Sequence, residues 1–255
     1  REIRGEDAPG LLLVCNAGEE GLGNLKGVRK ICEDYGGRIK SFCTFDSSLS
    51  SIVDRAVGSK RFRVKVRTRG GHSYNDFGND NAIAGLASLV GKLYKIQVPE
   101  GGKTTYNVGM ISGGTSVNTI AQEAEMLYEF RSDKRENLEY MERQFMEVLD
   151  RAKAEGMDVS FQVIGVRPCE GQVDPAQKQA LTDWAHRVVE EMTGQAPKHH
   201  AGSTDCNIPL SLGIPSVCVG SFRGAGAHTR EEYVETDSLE EGYKVAFGMI
   251  FGRRD

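Results

Sequence analysis

Hydrophobic and polar positions along the chain fall into two regimes. Between residues 59 and 167 the pattern is long and regular. Residues 61–69 (RFRVKVRTR) alternate strictly, which marks a half-buried antiparallel strand. Residues 81–94 carry apolar side chains at 83, 86, 87, 89, 90 and 93, and 138–154 at 138, 141, 145, 148, 149 and 152, both at helical spacing. Strand patterns at 105–111, 125–130 and 157–166 complete the order β-α-β-β-α-β, a ferredoxin-like split arrangement. Outside this stretch the pattern turns to short apolar runs joined by helices. LLLV at 11–14 reads as a strand buried on both faces. A helix follows over 25–35, closed by Gly36-Gly37, and then a short strand over 39–45. After the regular stretch come a helix over 176–192 with Pro175 in its first turn, a buried parallel strand over 214–219 and a closing helix over 239–251. The economical architecture is α/β: a discontinuous domain, 1–58 and 168–255, carrying an inserted ferredoxin-like α+β domain at 59–167.

Candidate chemistry gathers where the apolar runs stop. Glu19 and Glu20 stand between Gly18 and Gly21 just past the 11–14 run. Open α/β sheets bind their ligands at the carboxyl ends of strands. Adjacent side chains on extended backbone point opposite ways, so one carboxylate can face a metal and the other a water on that metal. A solvated acidic turn is the competing reading. Asp46 ends the next predicted strand, one β-α-β unit later. A right-handed crossover would place it on the same sheet edge as Glu20, although capping the turn at Ser47-Ser48 is the simpler role.

Composition removes other classes. The 255 residues are 39% hydrophobic and 27% charged, with net charge -4. Acids and bases are interspersed and no basic helix stands out, so neither nucleic acid nor a membrane surface is indicated. No apolar run is long enough to span a bilayer. Six cysteines are scattered without a CxxC pair, consistent with free thiols in a reducing cytoplasm. The chain opens on REIRGED rather than Met and runs directly into an apolar strand pattern, as the middle of a longer protein would.

Several separated segments resemble the M20 family of metallopeptidases, which includes aminoacylases, tripeptidases and carboxypeptidases. They are NAGEEGLGNLKG (16–27), GGHS (70–73), GGTSVNTI (113–120), the strand ending at Arg131, GSTDCN (202–207) and GAHTREE (226–232). The resemblance implies a zinc-peptidase-like catalytic domain with an inserted lid that also dimerises, and hydrolysis of an amide bond in a small peptide or N-acyl amino acid. Residue by residue, it implies Glu19 as general base and Glu20, Asp46 and His228 as ligands of a pair of zinc ions, with cobalt or manganese as alternatives. A hydroxide held by such a pair is nucleophilic near neutral pH. The resemblance also implies that His72 reaches into the partner subunit's site to stabilise the oxyanion, a role worth about 3 kcal/mol. Asn118 and Arg131 match lid residues that hold the substrate's carbonyl and carboxylate. Asp205 either lines the pocket floor or braces His228. His186, His199 and His200 match nothing and read as surface or packing residues.

Two family ligands, an HxD histidine and a bridging aspartate, have no counterpart here: no His precedes His72, and Asp7 sits in no matching context. The expectation is a parent hydrolase of which this chain alone binds metal weakly and has little or no activity. A non-catalytic dimerising module that has lost its metal centre is the alternative, and a one-metal hydrolase using Glu20, Asp46 and His228 ranks behind both.

Overall fold

A computed structural model of the chain describes residues 10–252; the opening REIRGED segment and Asp7 lie outside the described residues. In chain order the elements are α1 (Lys26–Tyr35), β1 (Phe42–Phe45), β2 (Ser51–Ala56), β3 (Gly58–Arg67), β4 (Gly71–His72), α2 (Ala82–Leu93), β5 (Thr104–Gly113), β6 (Thr119–Ile120), β7 (Glu123–Ser132), α3 (Arg135–Ala154), β8 (Asp158–Arg167), α4 (Pro175–Thr193), β9 (Lys198–Gly202), α5 (Asn207–Ser211), β10 (Ser216–Val219), β11 (Arg223–Ala225), β12 (Tyr233–Glu235) and α6 (Leu239–Phe251).

Two four-stranded sheets result. The order β5-β7-β3-β8, antiparallel throughout, is the ferredoxin-like arrangement expected from the pattern. The alternation in β3 puts Phe62, Val64 and Val66 on the face that α2 and α3 cover, around Met126, Tyr128, Phe130, Phe145 and Leu149. The helices start where local chemistry starts them. Asn81 accepts N–H bonds from Ile83 and Ala84 at the head of α2, and Asp174 does so from Gln177 ahead of Pro175 in α4.

The second sheet has the order β1-β10-β2-β9 and is mixed: β10 runs parallel to β1 and antiparallel to β2, and β2 parallel to β9. Leu181, Trp184, Ala185, Val188 and Val189 of α4 and Val245 and Met249 of α6 pack on one face against Ile52, Val217 and Val219. On the other face, Val53, Ala56 and Cys218 meet Cys206 and Leu210, while α1 packs with Ile208 near Phe42. Mixed α/β with an inserted antiparallel α+β unit is therefore the observed fold class.

One expectation fails at the start. Residues 11–14 form no strand; Leu11 is 58% exposed and Leu13 67%. A strand buried on both faces needs a hydrogen-bonded neighbour and covering side chains. Among the described residues nothing pairs with this run, and β1 has β10 on only one side. Glu19 and Glu20 are thus not presented by a strand end, and α1 is not the crossover of a β-α-β unit. The strand over 39–45 is likewise shorter than its pattern, beginning at Phe42 after a tight turn over Gly36–Arg38.

Asn207, wholly buried, ties the two halves together. Its amide donates to the carbonyls of Val57 (2.8 Å) and Pro168 (2.9 Å), where the chain enters and leaves the inserted sheet, and its Oδ1 accepts from Thr204 N–H (2.9 Å). Removing it strands three backbone groups. Asn207→Ala is expected to cost about 2–3 kcal/mol, read as a lower urea midpoint in the fluorescence of Trp184, the single tryptophan.

Candidate functional site

The Glu19-Glu20 loop is held by the inserted domain. Arg167, at the end of β8 and 4% exposed, donates through Nη1 to Glu19 Oε1 (2.9 Å) and Ser203 Oγ (3.1 Å), and through Nη2 to the Glu19 carbonyl (2.5 Å). Arg61 Nη1 donates to the Gly21 carbonyl (2.6 Å), Val166 N–H to Asn24 Oδ1 (3.0 Å) and Arg29 Nη2 to the Val166 carbonyl (2.5 Å). Gly27 allows the close pass beneath: a Cβ there would lie 1.7 Å from Asn16 Oδ1.

Four carboxylates share this region. Burial pushes the Glu19 carboxyl above its ordinary value; Arg167 opposes that, while Glu20, Asp205 and Asp46 add to it. Asp205 is buried and accepts from Asn16 Nδ2 (2.5 Å), and its Oδ1 has no hydrogen-bond partner among the described residues. Burial raises the Asp205 carboxyl too, against the Asn16 bond and the Arg167 charge. No hydrogen bond joins Asp205 to His228 among the described residues; the His228 backbone N–H donates to Glu232 Oε2 (3.1 Å), and its ring faces Glu20.

The structure brings Glu20 and His228 together, with Nδ1 and Oε2 3.9 Å apart and both side chains about three-quarters exposed. Asp46 follows β1 at the same sheet edge as Gly220 after β10, and its Oδ1 accepts the Ser47 N–H (2.7 Å). It lies close enough to influence Glu19 and Asp205, but it does not join Glu20 and His228: among the described residues no three His, Cys, Asp or Glu side chains assemble as metal ligands. Backbone strain marks the same loops. The non-glycine residues with positive φ among the described residues are Asn24, Leu25, Ser47 and His228.

His72 and Asn118 form a second group, on the inserted domain. His72 pairs with Thr119 across β4 and β6, and Ser73 N–H donates to the Asn118 carbonyl (3.0 Å). The N–H groups of Tyr74 (3.2 Å) and Asn75 (3.4 Å) donate to His72 Nδ1, so in the neutral ring the proton sits on Nε2. Asn118 Oδ1 accepts from Ser116 Oγ (2.6 Å), which leaves its amide N–H₂ to donate. An open groove of about 610 Å³ runs beside this pair, lined by Gly71, Gly113, Gly114, Thr115 and Thr119. Among the described residues no hydrogen bond or ion pair links this pair to Glu19 or Glu20.

Arg131 is engaged. Its Nε and Nη2 grip the two oxygens of Glu129 (2.8 and 3.2 Å), and Arg61 Nε adds a third contact (3.2 Å). Burial works to raise the Glu129 carboxyl, but these hydrogen bonds and charges outweigh it and hold it below the ordinary 4.5. A depressed folded pKa contributes stability above the unfolded value and loses it as pH falls through the folded one. Acid unfolding below pH 4.5 is therefore expected to be shallower in Glu129→Gln, measured as the pH dependence of the urea midpoint.

Sequence patterns did not reveal Arg167, Glu129 or the role of Asn207. Arg167 follows an alternating strand and precedes Pro168, and nothing in that pattern marks it as buried.

A family model for a peptidase dimerisation domain matches residues 56–157. A homolog of a p-aminobenzoyl-glutamate hydrolase subunit, from Haemophilus influenzae, is 34% identical over 191 residues, 67% of this chain and 42% of that protein. Aminopeptidase PepT from Bacillus cereus superposes with a TM-score of 0.69 at 22% identity, over 92% of this chain and 62% of that one. A tripeptidase from Staphylococcus aureus gives 0.70 at 22%, with the same coverage. The chain thus spans less than two thirds of the length of these relatives, and with the two solved structures it shares the fold.

Proposed function

Since the chain belongs to the M20 peptidase family, we propose that it forms part of a metal-dependent hydrolase cleaving an amide bond of a small peptide or N-acyl amino acid. The observation that carries this reading is the meeting of Glu20 and His228, from opposite ends of the sequence, beside the half-buried Glu19 that Arg167 fixes.

Glu19 is the group placed to take a proton from attacking water and pass it to the leaving amine, and burial raises its carboxyl toward that task. His72 offers an Nε2–H donor to the oxyanion, in the partner subunit of a homodimer formed through the inserted domain. Asn118 offers its amide N–H₂ to the substrate carbonyl. For Arg131 the edge left to a substrate carboxylate is Nη1–Nη2, because Glu129 holds the other.

The oxygen and imidazole donors of Glu20 and His228 suit zinc, and equally cobalt or manganese. They do not make a two-ion centre. Among the described residues only two of the three expected ligands meet. In a complete centre, an ion pair would supply the activated water.

Two measurements test the reading. With added zinc, this chain is expected to hydrolyse N-acyl amino acids and short peptides no faster than background; robust turnover would show the ligand accounting wrong. The mass of the natural gene product decides the rest. A longer product carrying an HxD segment supports the enzyme, whereas one starting at Arg1 favours a dimerising module without catalysis. That second reading draws on the missing third ligand.

A further inference from the structure

A separate cluster lies where β2, β9 and α4 meet. His199 Nδ1 is 2.9 Å from Asp54 Oδ2, and His199 Nε2 is 2.9 Å from His186 Nδ1. His186 Nε2 in turn lies 3.8 Å from Glu190 Oε2, one helical turn on. The two rings are near parallel, 12° apart, and both are partly exposed. His200 points away from this group and meets Ser51 Oγ at 3.4 Å.

We propose that His186 and His199 form a binding site for a divalent late transition-metal ion, held by His186 Nδ1 and His199 Nε2 and completed by solvent. Three features support it. The two ring nitrogens face one another at 2.9 Å, joined in the metal-free chain by one proton whose place a single ion can take. With metal–nitrogen bonds of about 2.0–2.1 Å, nitrogens 2.9 Å apart subtend about 90° at the ion. That angle suits the tetragonal geometry of Cu²⁺ or Ni²⁺ better than the tetrahedral geometry of structural zinc.

The outer contacts agree. Ligating histidines characteristically donate their other ring N–H to a carboxylate, as His199 does to Asp54. Without metal, a neutral His186 must carry its proton on Nδ1 to bond His199, which turns its Nε2 lone pair toward the Glu190 carboxylate. With metal on Nδ1, the ring proton moves to Nε2 and faces Glu190. The site then has a donor or an ion at every contact, and no proton need be released.

Cu²⁺ titration of the whole chain tests this, followed by electron paramagnetic resonance, calorimetry and the copper-induced rise in melting temperature. Expected are one copper with hyperfine coupling to two imidazole nitrogens, affinity at least tenfold lower in His186→Ala and in His199→Gln, and a 10–100-fold loss in Asp54→Asn. His200→Ala should bind as the wild type does. Melting without metal checks that each variant is folded. If His186→Ala and His199→Gln bind copper as tightly as the wild type, or if the wild type shows a single-imidazole spectrum, the proposal is overturned and the pair is a packing contact only.

Discussion

Replacing Arg167 with Met is expected to lower the unfolding free energy by about 3 kcal/mol, the low end for breaking a buried ion pair by removing one partner. The side chain of Arg167 is 5% exposed and that of Glu19 21%, so solvent can make up for only part of the lost contacts. Three groups lose their donor at once: the Glu19 carboxylate, the Glu19 carbonyl and Ser203 Oγ. Because Arg167 ends a strand of the inserted sheet while Glu19 belongs to the other half of the chain, the loss falls on the junction between them. A urea titration followed by Trp184 fluorescence reads it, since Trp184 packs against the α/β sheet. Adding Glu19→Leu to Arg167→Met should recover part of the loss by removing the stranded carboxylate. A midpoint unchanged in Arg167→Met would mean that the inserted domain does not brace the loop.

The other large effect lies in the inserted domain. Phe145 is fully buried on α3 and touches three rings: Phe62 at 4.3 Å, Tyr128 at 5.5 Å with planes 13° apart, and Phe161 at 5.7 Å edge-on. Those partners come from β3, β7 and β8, so one side chain fastens the helix to three of the four strands. Phe145→Ala opens a cavity that such a β-sheet floor cannot fill by collapse, at about 4 kcal/mol. The amides of α3 should then exchange hydrogen about a thousandfold faster. If the exchange rate rises less than tenfold, the aromatic cluster is not the centre of this core.

These two residues were legible to very different degrees. Phe145 stood at a helical apolar position in a strongly periodic stretch, and the two helices and four long strands of the inserted domain could be read in that way; the two-residue strands β4 and β6 could not. The closing helix was equally clear. β2 and β9 were not. β2 breaks its alternation at Asp54-Arg55, where its register against β9 shifts, and β9 is an edge strand with the polar sequence Lys198-His199-His200. The 11–14 run misled for the opposite reason: its composition demands burial, but no described neighbour provides it. At the candidate site, the family resemblance singled out Glu19, Glu20 and His228, and the fold brings them into one region. Arg167 and Glu129 were hidden because charged residues on an alternating strand look solvated until their partners are in place, Glu19 for the one and Arg61 and Arg131 for the other.

The direct test of the central claim, that Glu20 and His228 converge as part of a metal centre, is anomalous diffraction from crystals of this chain soaked in zinc. The expected result is a zinc peak between Glu20 and His228, at low occupancy, that disappears in His228→Ala. No zinc density at that position, or a peak there that persists unchanged in His228→Ala, would contradict it.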